Sequence, residues 1–326
     1  MALALALLLV QTRPALADFL RGMTVSCPRS GQIWGTPLMR TAIASVRKIG
    51  VRWVAVHPYA RIARDGTVSY TPAAETGFLR NLVIIASESK TPLFWTPHLA
   101  YWGSFEWRGA VEFGDDAAAW ARFFDGYRGF IVDQARFAQA SGVRLFSVGN
   151  EYERTTASHE KEWRAIITAV RAVYQGELTY SANWDAIDKV PFWDALDTIA
   201  VQGYFPISTS ASPKRAELEA GWDAVLARLE RISIAQQKKV LFAEIGYSRS
   251  ARAAEKPWEA ATEDTPQAIA FRALLLDVAL DRIERRSFVR GMFWWKWIPG
   301  TAFGEADFSM QDPEAQSALA RHWTAR

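Results

Sequence analysis

The sequence predicts a single closed (β/α)8 barrel, and three observations carry that expectation. From Arg21 onward, short apolar runs rich in β-branched and aromatic residues alternate with amphipathic stretches of helical period. The chain holds eight such runs, and no linker, composition shift or internal repeat divides them. Its 326 residues, 50% of them hydrophobic, suffice for one large core, at a length that α/β barrels reach as one domain. The alternative is a doubly wound sheet, which usually announces a cofactor through a glycine-rich first turn. Neither GxGxxG nor a Walker A pattern occurs.

The elements follow in order. Residues 1–10 are an Ala/Leu-rich run, and Ala15-Leu16-Ala17 follows as a small-residue pattern. This reads as the apolar region and cleavage site of a secretory signal over residues 1–17. Residues 18–326 are then one secreted or periplasmic domain. Ten apolar residues are too few to span a bilayer as a helix, and no later segment reaches about twenty, so no stable membrane insertion is expected. Strands are predicted at 22–27, 51–57, 92–98, 143–149, 178–183, 198–204, 239–245 and 290–297. Helices are predicted at 36–49, stopping at Gly50, and at 115–140, stopping at Ser141-Gly142. Three more are predicted at 159–174, 214–237 and 265–286, the last opening with Thr265-Pro266, an N-cap followed by a proline at the first helical position.

Composition removes several function classes. The charge count, 38 − 35 = +3, with no long basic run, argues against nucleic acid as a partner. The lone cysteine, Cys27, excludes an intrachain disulfide framework and a Cys-rich zinc site, and reads as a small buried apolar residue. His57 and His98 fall near the ends of neighbouring strands, but no HxH or HExxH pattern joins the four histidines; no metal and no cofactor are expected. No GxSxG elbow supports serine hydrolase chemistry. Tryptophan is the outlier, with 15 among 18 Phe and 9 Tyr. Its flat apolar ring suits stacking on sugars as well as core packing. Trp120, Trp163 and Trp222 fall on predicted helices and are assigned to packing. The expected partner is a polysaccharide or oligosaccharide, met by a monomer.

In such a barrel the active site lies at the carboxyl ends of the strands. Strand four runs Leu145-Phe146-Ser147-Val148-Gly149-Asn150-Glu151, and strand seven Val240-Leu241-Phe242-Ala243-Glu244-Ile245. Acids such as Glu217, Glu219 and Glu230 fall on polar helical faces and read as solvated; Glu106, Glu112 and Glu153 fall in loops, where such acids are more often solvated but could touch substrate. Glu151 and Glu244 differ, because a carboxylate ending an apolar run needs a hydrogen-bonding partner or a chemical role. A structural ion pair is one reading. The other is glycoside hydrolysis, in which one carboxyl group protonates the departing oxygen and the other attacks the anomeric carbon. Strands four and seven face each other across an eight-stranded barrel, and Asn150 adds an amide able to bind a sugar hydroxyl. Neighbouring strand residues point to opposite faces, so Asn150 and Glu151 both reach the site only if the strand ends or bulges there.

An ordered series of motifs extends this reading. Thr96-Pro97-His98 and Trp107-Arg108-Gly109 precede Gly149-Asn150-Glu151. Then come Leu178-Thr179-Tyr180-Ser181-Ala182-Asn183-Trp184, Gly203-Tyr204-Phe205-Pro206, Ala243-Glu244-Ile245-Gly246-Tyr247 and Phe293-Trp294-Trp295-Lys296-Trp297. From about residue 22 to 323 the chain resembles a clan A glycoside hydrolase, in particular family 113, the β-mannanases. The resemblance implies retaining cleavage of β-1,4-mannosidic bonds in mannan or glucomannan, with Glu151 as acid/base and Glu244 as nucleophile. It further implies that Asn150 binds the 2-hydroxyl of the sugar being cleaved, and that Tyr204 hydrogen-bonds the nucleophile and helps keep it ionised. His98, Trp107, Asn183 and Trp184 become sugar-contact positions. A strand-eight tryptophan would floor the pocket. Phe293, Trp295 and Trp297 share one face, Met292, Trp294 and Lys296 the other, and Trp295 and Trp297 are preferred. The segments 34–53 and 258–264 depart from the family pattern and are expected to shape substrate selection. Another clan A β-glycanase and a catalytically silent carbohydrate-binding barrel are the alternatives; sugar binding alone requires no carboxylate pair.

Overall fold

The computed structural model describes residues 19–27, 31–300 and 307–324; the secretory-signal reading of residues 1–17 lies outside them. Eight parallel strands close on themselves: β1 Leu20–Val25, β2 Trp53–Val56, β3 Leu93–Trp95, β4 Leu145–Asn150, β5 Glu177–Asn183, β6 Ile199–Gln202, β7 Val240–Ile245 and β8 Val289–Trp297. Each coincides with a predicted strand, and closure pairs Leu20 of β1 with Gly291 of β8. Inside the ring Trp53, Phe94, Leu145, Leu241 and Phe293 pack together, with the Phe94 and Phe293 rings 5.0 Å apart. Gly22 makes room for them, since a Cβ there would stand 2.2 Å from the Phe293 ring. The architecture is a single (β/α)8 barrel with a packed interior.

The outer layer consists of α1 Pro37–Lys48, α2 Gly77–Glu88, α3 Ala117–Ala140, α4 Glu153–Ser158, α5 Glu160–Arg171, α6 Arg215–Gln236, α7 Pro266–Ile283 and α8 Pro313–Trp323. Their apolar faces and the outward strand residues form the main core, in which Trp163 and Trp222 are fully buried and Trp120 partly. Asp116, Thr265 and Asp312 cap α3, α7 and α8 by accepting from the backbone N–H three residues on. Two helices, α4 and α5, follow β4. Between β5 and β6 the chain makes only the 3-10 turns Ile187–Lys189 and Trp193–Ala195, pinned by the Trp193 indole donating to the Ile187 carbonyl at 3.0 Å. Among the described residues no helix is long and apolar enough to cross a membrane. Cys27, expected to be buried, is only half-buried, and its Sγ accepts from the Gly31 N–H at 3.1 Å.

The second and third strands leave the barrel earlier than predicted. Pro58 and Pro97 lack the N–H that would continue the ladder, so β2 and β3 stop ahead of them. Beyond the prolines, Tyr59–Ile62 and His98–Ala100 pair with each other, and Val68–Ser69 joins to form a three-stranded sheet. This sheet rises on the carboxyl-end side of the barrel and sets Tyr59 opposite His98.

Candidate active site

Both strands that carry the candidate carboxylates take up an extra residue just before them. Between Ser147 and Asn150, β4 advances three positions while β5 advances two, from Thr179 to Ser181. Between Phe242 and Glu244, β7 advances two positions while β6 advances one. Such bulges re-aim side chains at a strand end. Glu151 itself takes a left-handed backbone conformation, φ 58°, with its N–H donated to the Ser181 carbonyl at 2.8 Å. Gly149 permits the turn, because a Cβ there would press to 2.9 Å on the Trp163 and Tyr180 rings.

Asn150 is fully buried and held from both sides. Its Oδ1 accepts from Gln202 Nε2 at 2.5 Å, and its Nδ2 lies 2.9 Å from His98 Nε2. Burial, aided by the charge of Arg108 and by His57, holds His98 far below the ordinary histidine range. The imidazole is therefore neutral and accepts from Asn150 through Nε2. Its 4.0 Å approach to Glu244 Oε1 is accordingly not a charge pair. Tyr204 donates its hydroxyl to Glu244 Oε2 at 3.2 Å. The structure thus brings His98, Asn150, Tyr204 and Glu244 together from four separate segments at the carboxyl end of the barrel.

The electrostatics of the two carboxylates differ. Glu151 Oε2 receives Arg108 Nη1 at 2.6 Å, with both side chains largely buried. Burial opposes the charge of Arg108, but Glu151, Tyr59 and Glu244 outweigh it and raise its pKa. The pKa of Glu244 is raised by burial first and by the negative charge of Glu151 second. Arg108, Gln202 and Tyr204 pull it down without offsetting the rise. Tyr204 therefore favours the ionised form of Glu244, as the resemblance implies, but burial dominates.

The remaining predicted residues divide. Trp295 is half-buried at the mouth, its ring 5.5 Å from that of His57. Trp297 is not with it. From Trp295 to Trp297, β8 advances two positions while β1 advances one, from Thr24 to Val25. That bulge breaks the alternation on which the pairing of Trp295 with Trp297 rested, so Trp297 packs into the main core. Lys296 emerges beside Trp295 instead, its Nζ 5.4 Å from that ring and 3.0 Å from Asp307 Oδ1. Asn183 donates to Glu153 Oε1 and Asp185 Oδ1, both at 3.0 Å, rather than to the two central carboxylates. Trp184 stacks on Trp258 with centroids 5.5 Å apart and planes 13° from parallel. The Trp107 ring lies against its own turn, where a Cβ on Gly109 would come within 2.2 Å of it.

His57 stacks on His98, centroids 5.0 Å apart and planes 15° from parallel, and burial pushes it down to about 3. Face-to-face rings do not chelate, and among the described residues no group of three or more His, Cys, Asp or Glu could hold a metal ion. Two further site residues escaped sequence reasoning. Gln202 ends an apolar strand, the same signal that singled out Glu151 and Glu244. Arg108 stood within the motif Trp107-Arg108-Gly109 without a role, since its partner is 43 residues further on.

Comparison with known proteins adds to this geometry. The family profile described as Glycoside Hydrolase Family 113 matches residues 23–312. A solved structure of a family 113 β-1,4-mannanase complex aligns with TM-score 0.82 at 21% identity, covering 95% of this chain and 100% of that one. The family 113 β-mannanase AaManA from Alicyclobacillus acidocaldarius, in complex with ManMIm, aligns with TM-score 0.80 at 22% identity, covering 94% and 97%. A family 5 mannosidase from Rhizomucor miehei, in complex with mannosyl-fructose, aligns with TM-score 0.62 at 12% identity, covering 95% of both chains. No curated protein matches the chain in sequence.

Proposed function

The chain belongs to glycoside hydrolase family 113 and is a glycoside hydrolase; on that premise we propose that it cleaves β-1,4-mannosidic bonds in mannan or glucomannan with retention of configuration. The observation that carries this reading is the setting of the two carboxylates. Glu151 follows Asn150 at the end of β4, and Glu244 is the penultimate residue of β7, with Tyr204 on one oxygen and His98 near the other. In the first step Glu151 protonates the glycosidic oxygen while Glu244 attacks the anomeric carbon, so the leaving sugar departs with the proton and a glycosyl ester forms on Glu244. In the second step Glu151 takes a proton from water, which opens the ester and restores Glu244. Asn150, fixed by Gln202 and His98, presents its amide to the 2-hydroxyl, and Trp295 supplies an apolar surface under the ring.

A reducing-sugar assay on mannan, glucomannan, cellulose and xylan tests the substrate: release from the first two supports it, and release only from cellulose or xylan replaces it with another β-glycan. Proton NMR of the first product tests the stereochemistry. The β anomer is expected, and an initial α anomer rejects retention.

A further inference from the structure

Trp102 is 55% exposed, and only one other described tryptophan, Trp258 at 45%, is open to a comparable degree. Isolated exposed apolar residues are ordinary, but the surroundings of Trp102 are specific. It occupies the corner of a tight turn over 101–104, closed by the Ser104 N–H donating to the Tyr101 carbonyl at 2.9 Å. Gly103 follows with φ 85°, the left-handed conformation that such a turn reserves for glycine. The turn therefore fixes the backbone that carries the indole.

The indole is also seated on other rings. Its centroid lies 5.6 Å from that of Tyr59 and 5.4 Å from that of Tyr101. Tyr59 in turn lies 5.2 Å from His57, and His57 5.5 Å from Trp295. An unbroken series of rings thus leads from the tryptophan at the barrel mouth to the one at the surface, beside the sheet of Tyr59–Ile62 and His98–Ala100. Tyr101 is shared with the catalytic centre, because the Arg108 guanidinium that holds Glu151 also lies over its ring at 5.6 Å. An exposed indole backed by aromatic rings, and linked to the catalytic centre through Tyr101 and Arg108, offers the flat apolar surface that the C–H face of a pyranose packs against.

We propose that Trp102, seated on Tyr59 and Tyr101, is an outer glycan-binding platform that stacks a sugar unit of the same polysaccharide beyond the catalytic pocket. The inference rests on the mannan reading for the identity of that sugar. It extends substrate binding past the sheet of Tyr59–Ile62 and His98–Ala100 and gives the enzyme a preference for long chains.

The test uses the Glu244→Gln protein, which cannot form the glycosyl ester, titrated calorimetrically with mannohexaose and with mannobiose. The platform predicts that mannohexaose binds more tightly, and that adding Trp102→Ala weakens mannohexaose about tenfold, the worth of one stacked ring, while weakening mannobiose far less. Trp102→Phe, which keeps a ring, should recover most of the loss. Equal weakening of both sugars, or no weakening of mannohexaose, overturns the proposal. If the wild-type enzyme leaves mannan and glucomannan intact, the substrate reading fails by itself. The same comparison is then made with cellohexaose against cellobiose and xylohexaose against xylobiose, and absence of a Trp102-dependent length advantage in both pairs overturns the platform.

Discussion

Arg108 Nη1 stands 2.6 Å from Glu151 Oε2, so the buried cation of the site rests on the carboxylate assigned as acid/base and not on the assigned nucleophile. Glu244 has the Tyr204 phenol, the Gln202 amide and the neutral His98 imidazole as near neighbours, and feels Arg108 from further off as a charge that lowers its pKa. Groups facing this pair also include Glu153 and Tyr204.

Removing the cation should therefore move the pH profile. In Arg108→Gln, Glu244 loses a group that favours its ionised form and holds its proton to higher pH. The acidic limb of kcat/KM, which on the proposed mechanism reports ionisation of Glu244 in the free enzyme, should shift to higher pH. An unchanged acidic limb with a uniformly lower rate would reduce Arg108 to a structural role.

The raised pKa of Glu244 also has a consequence for stability. A carboxyl group whose folded pKa exceeds its unfolded value binds more protons folded than unfolded. Its contribution is complete below the unfolded pKa and is lost as pH rises through the folded value, by up to about 1.4 kcal/mol per pH unit. Glu244→Gln, which cannot ionise, should raise Tm relative to wild type at pH 8 and change it little at pH 4. A Tm difference of equal size at both values would contradict the buried, proton-retaining setting of Glu244.

Much of the fold could be read from the chain because its eight strands are compact apolar runs bounded by polar helical stretches. What escaped has identifiable causes. Helix α2, with Leu82-Val83-Ile84-Ile85, is continuous and β-branched, so its composition looks as much like a strand as a helix. The early ends of β2 and β3 were legible in Pro58 and Pro97, but not the sheet beyond them, whose pairing is long-range. At the site, Glu151 and Glu244 announced themselves as acids ending apolar runs. The three bulges did not, since an extra residue is visible only against the neighbouring strand. That is why the assumed alternation placed Trp297 beside Trp295 when the strand turns it into the core.

Gln202 gives a third prediction. Its Nε2 supplies the donor to the buried Asn150 Oδ1, and His98 occupies the other end of the amide. Gln202→Leu leaves that oxygen without a donor, a loss of about 1–3 kcal/mol for a buried acceptor. Thermal unfolding should show the lowered stability. The amide, free to turn, should also lower kcat more than it raises KM if Asn150 binds the 2-hydroxyl chiefly in the transition state. A change confined to Tm would make Gln202 a packing residue.

The last prediction separates the roles of the two glutamates. On the proposed mechanism Glu151 has to be protonated when the first step begins and act as a base in the second, whereas Glu244 has to be ionised from the start. Formation of the glycosyl ester removes the charge of Glu244, which favours loss of the proton from Glu151 and suits its changed role. The two alanine variants should therefore fail differently. An aryl mannoside with a good leaving group needs little protonation, so Glu151→Ala should form the ester and then turn over slowly. Azide, which needs no general base, should rescue it by opening the ester from the β face, giving a β-mannosyl azide. Glu244→Ala forms no ester, and azide occupying the vacated space should attack the substrate directly and give the α azide. Product anomers read by NMR decide the matter: an α azide from Glu151→Ala together with a β azide from Glu244→Ala would exchange the acid/base and nucleophile assignments.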